Sequence, residues 1–234
     1  MKTDGSMRPG EVELRRGLWP RPSSGRRGLG LWVGATLLLL GLMAGCLPNP
    51  QSVAERRATF PREALRGELG LLGRLLHAVG LGEKQATLIL GALPPHAVRV
   101  DGEFGRSIKL AGYEIDPAAP APGDLVHVTL YWTPVREVEE DYQVFVHGDA
   151  IGGQATRLHG DHYPALGRYP TDVWQVGEII VDPFSLWIPP GYGAPQLGLY
   201  MGLYKGDYRV PLTNSGLAPP GTENRLQAIT ISFK

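Results

Sequence analysis

The sequence predicts a mainly β protein: an antiparallel β-sandwich, preceded by a short helical hairpin and an N-terminal signal or anchor segment. Three observations carry that reading. From Val98 onward apolar and polar residues alternate with a period of two, the mark of half-buried strands. The 32 Gly and 21 Pro fall mostly between short apolar runs, where they act as turns. Between residues 61 and 95 the period is instead that of a helix, and Pro94-Pro95 marks the switch.

The chain opens on a basic flank closed by Arg26-Arg27, followed by an apolar run from Gly28 through Leu42 and then Met43-Ala44-Gly45-Cys46. A basic flank, an apolar segment and small residues before a cleavage point are the parts of a secretory signal. Cys46 is the only cysteine of the chain. The arrangement resembles a bacterial lipobox, which implies cleavage before Cys46 and attachment of lipid to it. Residues 1–45 are then the signal peptide, and the protein sits on a membrane of the cell envelope, facing the periplasm or the exterior. The other reading is an uncleaved helix. Gly28 to Leu47 are uncharged, and about 20 apolar residues span a hydrocarbon core. Either way the arginines ahead of the run orient that end to the cytoplasm.

Removing residues 1–45 leaves 189, enough for one ordinary domain and an accessory segment. The leader holds seven Lys and Arg against three Asp and Glu. The remainder therefore carries 16 against 20, a net −4. No basic cluster survives cleavage, so nucleic acid is not an expected partner. With Cys46 lipidated no disulfide is possible, and stability must come from a packed core.

Residues 46–60 read as a tether in which Ser52-Val53-Ala54-Glu55 caps a helical turn. Residues 61–95 read as a helical hairpin. Leu65, Leu69, Leu72, Leu76 and Val79 recur at spacings of four and three, Gly80 ends that helix, and a shorter run spans Glu83 to Leu90. The leucine stripe either docks on its own domain or holds a partner as a scaffold would.

Residues 96–234 read as the sandwich. Ile108, Leu110 and Gly112 alternate with polar neighbours, and Tyr113 and Ile115 continue that strand. Asp116 to Gly123 is a turn region. Val126, Val128, Leu130 and Trp132 form one face of the next strand, and Tyr142, Val144 and Val146 one face of the strand after it. Further strands are expected at 154–158, 178–181, 184–188, 197–203, 209–212 and 226–233. Tyr131, Trp132 and Trp174 are expected in the core.

From Phe104 to about Lys205 the chain resembles a β-sandwich module found at the C-terminal ends of some bacterial membrane glycosyltransferases and in cell-envelope proteins. The resemblance rests on Ile108-Lys109-Leu110-Ala111-Gly112-Tyr113, on Gly123-Asp124 before Tyr131-Trp132, and on Asp141 through His147. It continues through Gly167-Arg168-Tyr169-Pro170-Thr171, Trp174, Gly177-Glu178, Asp182 and Gly202-Leu203-Tyr204. It implies an immunoglobulin-like sandwich in an accessory, carbohydrate-binding-like role, with no catalysis to carry over. No multi-span transferase precedes the module here, so no transferase activity is implied.

Two groups of residues could carry chemistry. His147, Asp149, His159, Asp161 and His162 combine imidazoles with carboxylates, and three or four of these converging would hold zinc. The same residues also suit strand ends and turns, where they bond the backbone. Tyr163, Tyr169, Trp174 and Glu178 pair aromatic faces with a carboxylate, as a sugar site does. They would equally lock a long loop over the core, with Pro170 restricting Tyr169. The chain has no Gly-x-Ser-x-Gly elbow, no phosphate-cradling glycine loop and no free thiol nucleophile once Cys46 is lipidated. Glu139-Glu140 read as solvated charge. The expectation is a non-enzymatic binding module for a glycan or an envelope protein, without a cofactor. A metal- or carboxylate-dependent hydrolase of envelope polymers is the competing class.

Overall fold

The computed structural model describes residues 52–67, 87–214 and 224–234. The signal segment, Cys46 and most of the expected hairpin lie outside the described residues.

The described chain opens on α1 (Val53–Thr59), and its first turn is written in the sequence. The Ser52 hydroxyl accepts from the Glu55 amide at 3.2 Å, while the Glu55 carboxylate accepts from the Ser52 amide at 3.0 Å. Both amides would otherwise lack helix partners. This helix is fastened to the sandwich. Arg56 meets the buried Asp172 at 2.7 Å, and Arg57 reaches Glu137 at 2.9 Å and the Val138 carbonyl at 2.6 Å. The end of the expected tether is thus a staple. Leu65, first of the leucine stripe, is buried in the core of its own domain.

Ten strands follow: β1 (Ile89–Leu90), β2 (Val98–Phe104), β3 (Ile108–Asp116), β4 (Leu125–Pro134), β5 (Gln143–Ile151), β6 (Leu158–His159), β7 (Ile179–Trp187), β8 (Gln196–Lys205), β9 (Tyr208–Arg209) and β10 (Leu226–Ser232). They form two antiparallel sheets. One has the order β1-β7-β4-β3-β2, and the other β10-β8-β5-β6, with β9 folded back on β8. Side chains of both inner faces form a single core. Val126, Val128, Leu130 and Trp132 of β4 meet Val144 and Val146 of β5 and Leu197, Leu199, Met201 and Leu203 of β8. The fold is the antiparallel β-sandwich that the alternation predicts.

Three local differences from the sequence reading have physical causes. The sequence places residues 89 and 90 in the second helix, yet they form edge strand β1. A short apolar run such as Leu88-Ile89-Leu90 does not distinguish helix from strand by period. The free edge of β7 decides it, since the Val181 amide donates to the Leu88 carbonyl at 2.9 Å. Second, the strands expected at 178–181 and 184–188 are one strand, β7, running through Pro183. The Val181 amide points to the β1 side, so two residues on Pro183 points there too. β1 pairs only as far as Ile179 and Ile180, so the proline breaks no ladder bond. Third, Tyr131 faces away from the main core. It packs with Ala97 and Ile179 in a small cluster on the outer face, beside Leu90 and Leu93.

The connection from β6 to β7 is long, and buried polar groups pin it down. It contains two 3-10 turns, Ala165–Gly167 and Thr171–Val173. The Thr171 hydroxyl donates to the Glu140 carbonyl at 2.6 Å and accepts from the Tyr142 amide at 2.8 Å.

Candidate functional site

The four residues proposed from sequence as a sugar site do not form one. Tyr169 and Trp174 are fully buried and Glu178 is buried, so neither ring presents a face to a ligand. Together they lock the β6–β7 connection. The Tyr169 hydroxyl donates to Glu178 at 2.6 Å, and the Trp174 indole donates to the Tyr169 carbonyl at 2.9 Å. Arg62 donates to the Tyr169 hydroxyl at 3.0 Å and Arg66 to Glu178 at 3.0 Å. Burial, then the Glu178 carboxylate, pushes the Tyr169 phenol far above its ordinary range, so it stays a donor. Buried Arg62 is the partner that the sequence reading missed. Only Tyr163 of the four is exposed.

The histidine–aspartate group splits in two. His162 turns inward to Asp182, which is fully buried. Its Nδ1 lies 2.6 Å from the Gly160 carbonyl, and its Nε2 lies 3.1 Å from both Asp182 oxygens. A carbonyl and a carboxylate only accept, so the surroundings of both ring nitrogens favour the protonated ring. Burial alone would lower its pKa. The Asp182 carboxylate more than offsets that and holds the imidazole above its ordinary 6.5. With its two nitrogens taken up by Gly160 and Asp182, His162 stands outside the group of residues that converge, which removes it from the expected zinc set.

His147, His159 and Asp161 do converge, with one candidate ligand atom from each lying within 4.8 Å of the others. Register explains the pair of histidines, because His147 of β5 stands directly opposite His159 of β6 and both face outward. Asp161 joins them where the β6 ladder gives way. Its Oδ1 accepts the Val146 amide at 2.9 Å, a bond that holds the carboxylate at the sheet edge. His147 is buried, and its Nδ1 has no hydrogen-bond partner. That burial keeps its pKa below the ordinary value and its ring neutral. Asp149, further along β5, is held by Arg157 at 2.5 Å and 3.1 Å and by Arg225 at 3.4 Å.

These residues belong to a larger face. β8 sends Leu197, Leu199, Met201 and Leu203 inward, so Gly198, Tyr200, Gly202 and Tyr204 all point outward. The glycines make room for neighbours: a Cβ on Gly202 would lie 2.6 Å from the Phe145 ring. Phe145 rests there with the Arg209 guanidinium 4.8 Å above its centroid, and Arg225 stands 5.0 Å over Tyr200. Tyr204 donates to Gln143 at 2.7 Å. Burial raises the Tyr204 phenol, and the nearby charges of Asp161 and Tyr163 raise it further. Phe145, His147, Asp161, Tyr204, Asp207 and Arg209 line a recess of about 280 Å³ beside the convergent histidines. The alternating Gly-x-Tyr-x-Gly-x-Tyr of β8 was a readable signal of an outward aromatic row.

A second recess of about 280 Å³ lies between the Glu137–Glu140 segment and Tyr208. Glu140 is half-exposed there and pairs with Lys205, consistent with solvated charge.

No protein-family model matches this chain, and no curated protein matches it. Among solved structures, the C-terminal domain of Wzt is similar at 14% sequence identity and a TM-score of 0.38, over 60% of this chain and 80% of that one.

Proposed function

We propose that this protein is a membrane-anchored, non-catalytic lipoprotein of the cell envelope, and that its sandwich binds a glycan on the outer face of the β5–β6–β8–β9 sheet. One observation carries the reading. The Phe145 and Tyr204 rings, the Arg209 guanidinium and the Asp161 and Asp207 carboxylates are gathered around one recess, with the Gln143 amide bonded to Tyr204. Rings of this kind offer apolar faces to the C–H side of a sugar. The Arg209, Asp207 and Asp161 heads around them suit its hydroxyls. Tyr204 is the tyrosine that lines this recess, with Tyr163 close enough to act on it electrostatically, and Arg209 supplies a cation. The hydrolase reading loses one of its residues, because His162 bonds Asp182 and stands outside the group formed by His147, His159 and Asp161.

The test is a glycan array probed with the full-length chain in detergent. Binding to at least one envelope glycan is expected. Tyr204→Ala should weaken it by roughly thirtyfold, the equivalent of a binding hot spot of about 2 kcal/mol. Trp187→Ala, an exposed change on the opposite sheet, should leave it unaltered. A folded protein that binds no glycan, or binds equally after Tyr204→Ala, would overturn the reading.

The anchor is tested separately. Metabolic labelling with a palmitate analogue should mark the wild type and spare Cys46→Ser. Equal labelling of the two would exclude Cys46 as the lipid site.

A further inference from the structure

We propose that His147, His159 and Asp161 form a binding site for a divalent transition-metal ion, with zinc the ion best suited to two imidazoles and a carboxylate. The inference stands on these side chains alone and holds whether or not the sheet face binds a glycan.

The first support is convergence. The three candidate ligand atoms lie within 4.8 Å of one another. Bonds of about 2.0–2.2 Å in a tetrahedral zinc site place ligand atoms about 3.3 Å apart. The remaining closure is of the order that side-chain rotation supplies. His159 is exposed and can turn toward the other two, while Asp161 is held by the Val146 amide and His147 by the sheet. The backbone already does the larger part of the work, since the β5–β6 register stacks the two imidazoles with ring centroids 5.2 Å apart.

The second support is an orphan. His147 keeps only 9% of its surface exposed, yet its Nδ1 has no hydrogen-bond partner among the described residues. Buried polar atoms in folded proteins are seldom left so, and each exception calls for an explanation. An ion bound at Nδ1 would supply the missing partner.

The third support is the arrangement around the ligands. The Val146 amide holds Asp161 Oδ1, which fixes the carboxylate as outer-shell bonds do at metal sites. The nearest guanidiniums are committed elsewhere: Arg157 to Asp149, and Arg209 to the face of Phe145. Asp207 lines the same recess and adds negative charge. Three protein ligands leave a coordination position toward the recess, open to water or to an oxygen of a bound molecule.

The experiment uses the full-length chain, without a polyhistidine tag, stripped of metal in detergent. Zinc is titrated in competition with a chromogenic chelator. One equivalent should bind, and excess magnesium should not displace it. His159→Ala and Asp161→Asn should each weaken binding by more than the roughly 10–100-fold that an outer-shell partner contributes. His159 is exposed, so its variant keeps the core intact and provides the clean comparison. His162→Gln should retain wild-type affinity, because that ring faces Asp182. Cobalt added in place of zinc should give visible absorption bands in the wild type that His159→Ala lacks. A folded wild type that takes up no zinc, or a His159→Ala variant that binds it equally well, would overturn the assignment.

Discussion

Replacing Asp182 with alanine is expected to destabilise the protein by about 3–5 kcal/mol, the cost of removing one member of a buried ion pair. Asp182 is fully buried, and four bonds end on it. The Trp132 indole donates to Oδ2 at 2.8 Å, the Ala165 amide donates to Oδ1 at 2.9 Å, and the His162 ring donates to both oxygens at 3.1 Å. Alanine leaves a buried indole N–H, a buried amide and an imidazolium without an acceptor. Urea unfolding of the two proteins measures the difference. Asp182→Asn keeps one acceptor oxygen and should fall between them. A loss under 1 kcal/mol would show that this node is not structural.

The pair also sets a pH dependence. His162 has a folded-state pKa above its unfolded value, so its stabilisation is complete below about pH 6.5 and is lost as pH rises through the raised value. The stability gap between wild type and His162→Gln should therefore be widest in mild acid and narrow on going alkaline. Comparing these two proteins cancels His147, whose lowered pKa acts in the opposite sense.

Trp174→Ala is expected to cost a similar amount, about 3–5 kcal/mol, for a different reason. The ring is fully buried, and its removal opens a cavity under the β6–β7 connection while orphaning the Tyr169 carbonyl. For a chain of this size that corresponds to a melting point lower by roughly 6–20 °C. Trp174→Phe keeps most of the volume and should lose much less. Because the ring reaches no surface, any glycan binding should survive in whatever fraction remains folded. Loss of binding by a folded Trp174→Phe would return this tryptophan to the ligand site.

Much of the architecture was legible from local pattern. The strict alternation of β4 and β5 placed their inner faces correctly, because side chains on a strand point alternately to its two sides. Ser52 and Glu55 announced the start of α1, because a capping box is a contact between residues three apart. The meeting of His147, His159 and Asp161 was readable as a possibility, since strand residues and the turn beyond them lie close in the chain.

Other features depended on partners far along the sequence. Nothing local tells that Leu88-Ile89-Leu90 will find the free edge of β7, or that Tyr131 will pack outside the sandwich while Trp132 packs within it. The fate of His162 was set by Asp182, 20 residues away, whose carboxylate takes up the ring of a nominal metal ligand. Tyr169, Trp174 and Glu178 looked like a sugar platform until Arg62, 107 residues before Tyr169, closed over them. By itself the sequence determined which residues alternate, where turns fall and which side chains have metal or stacking chemistry, since these follow from short-range covalent geometry. Only the tertiary structure decided which were buried, which were charged and which met, because burial and charge are set by neighbours that long-range pairing brings together.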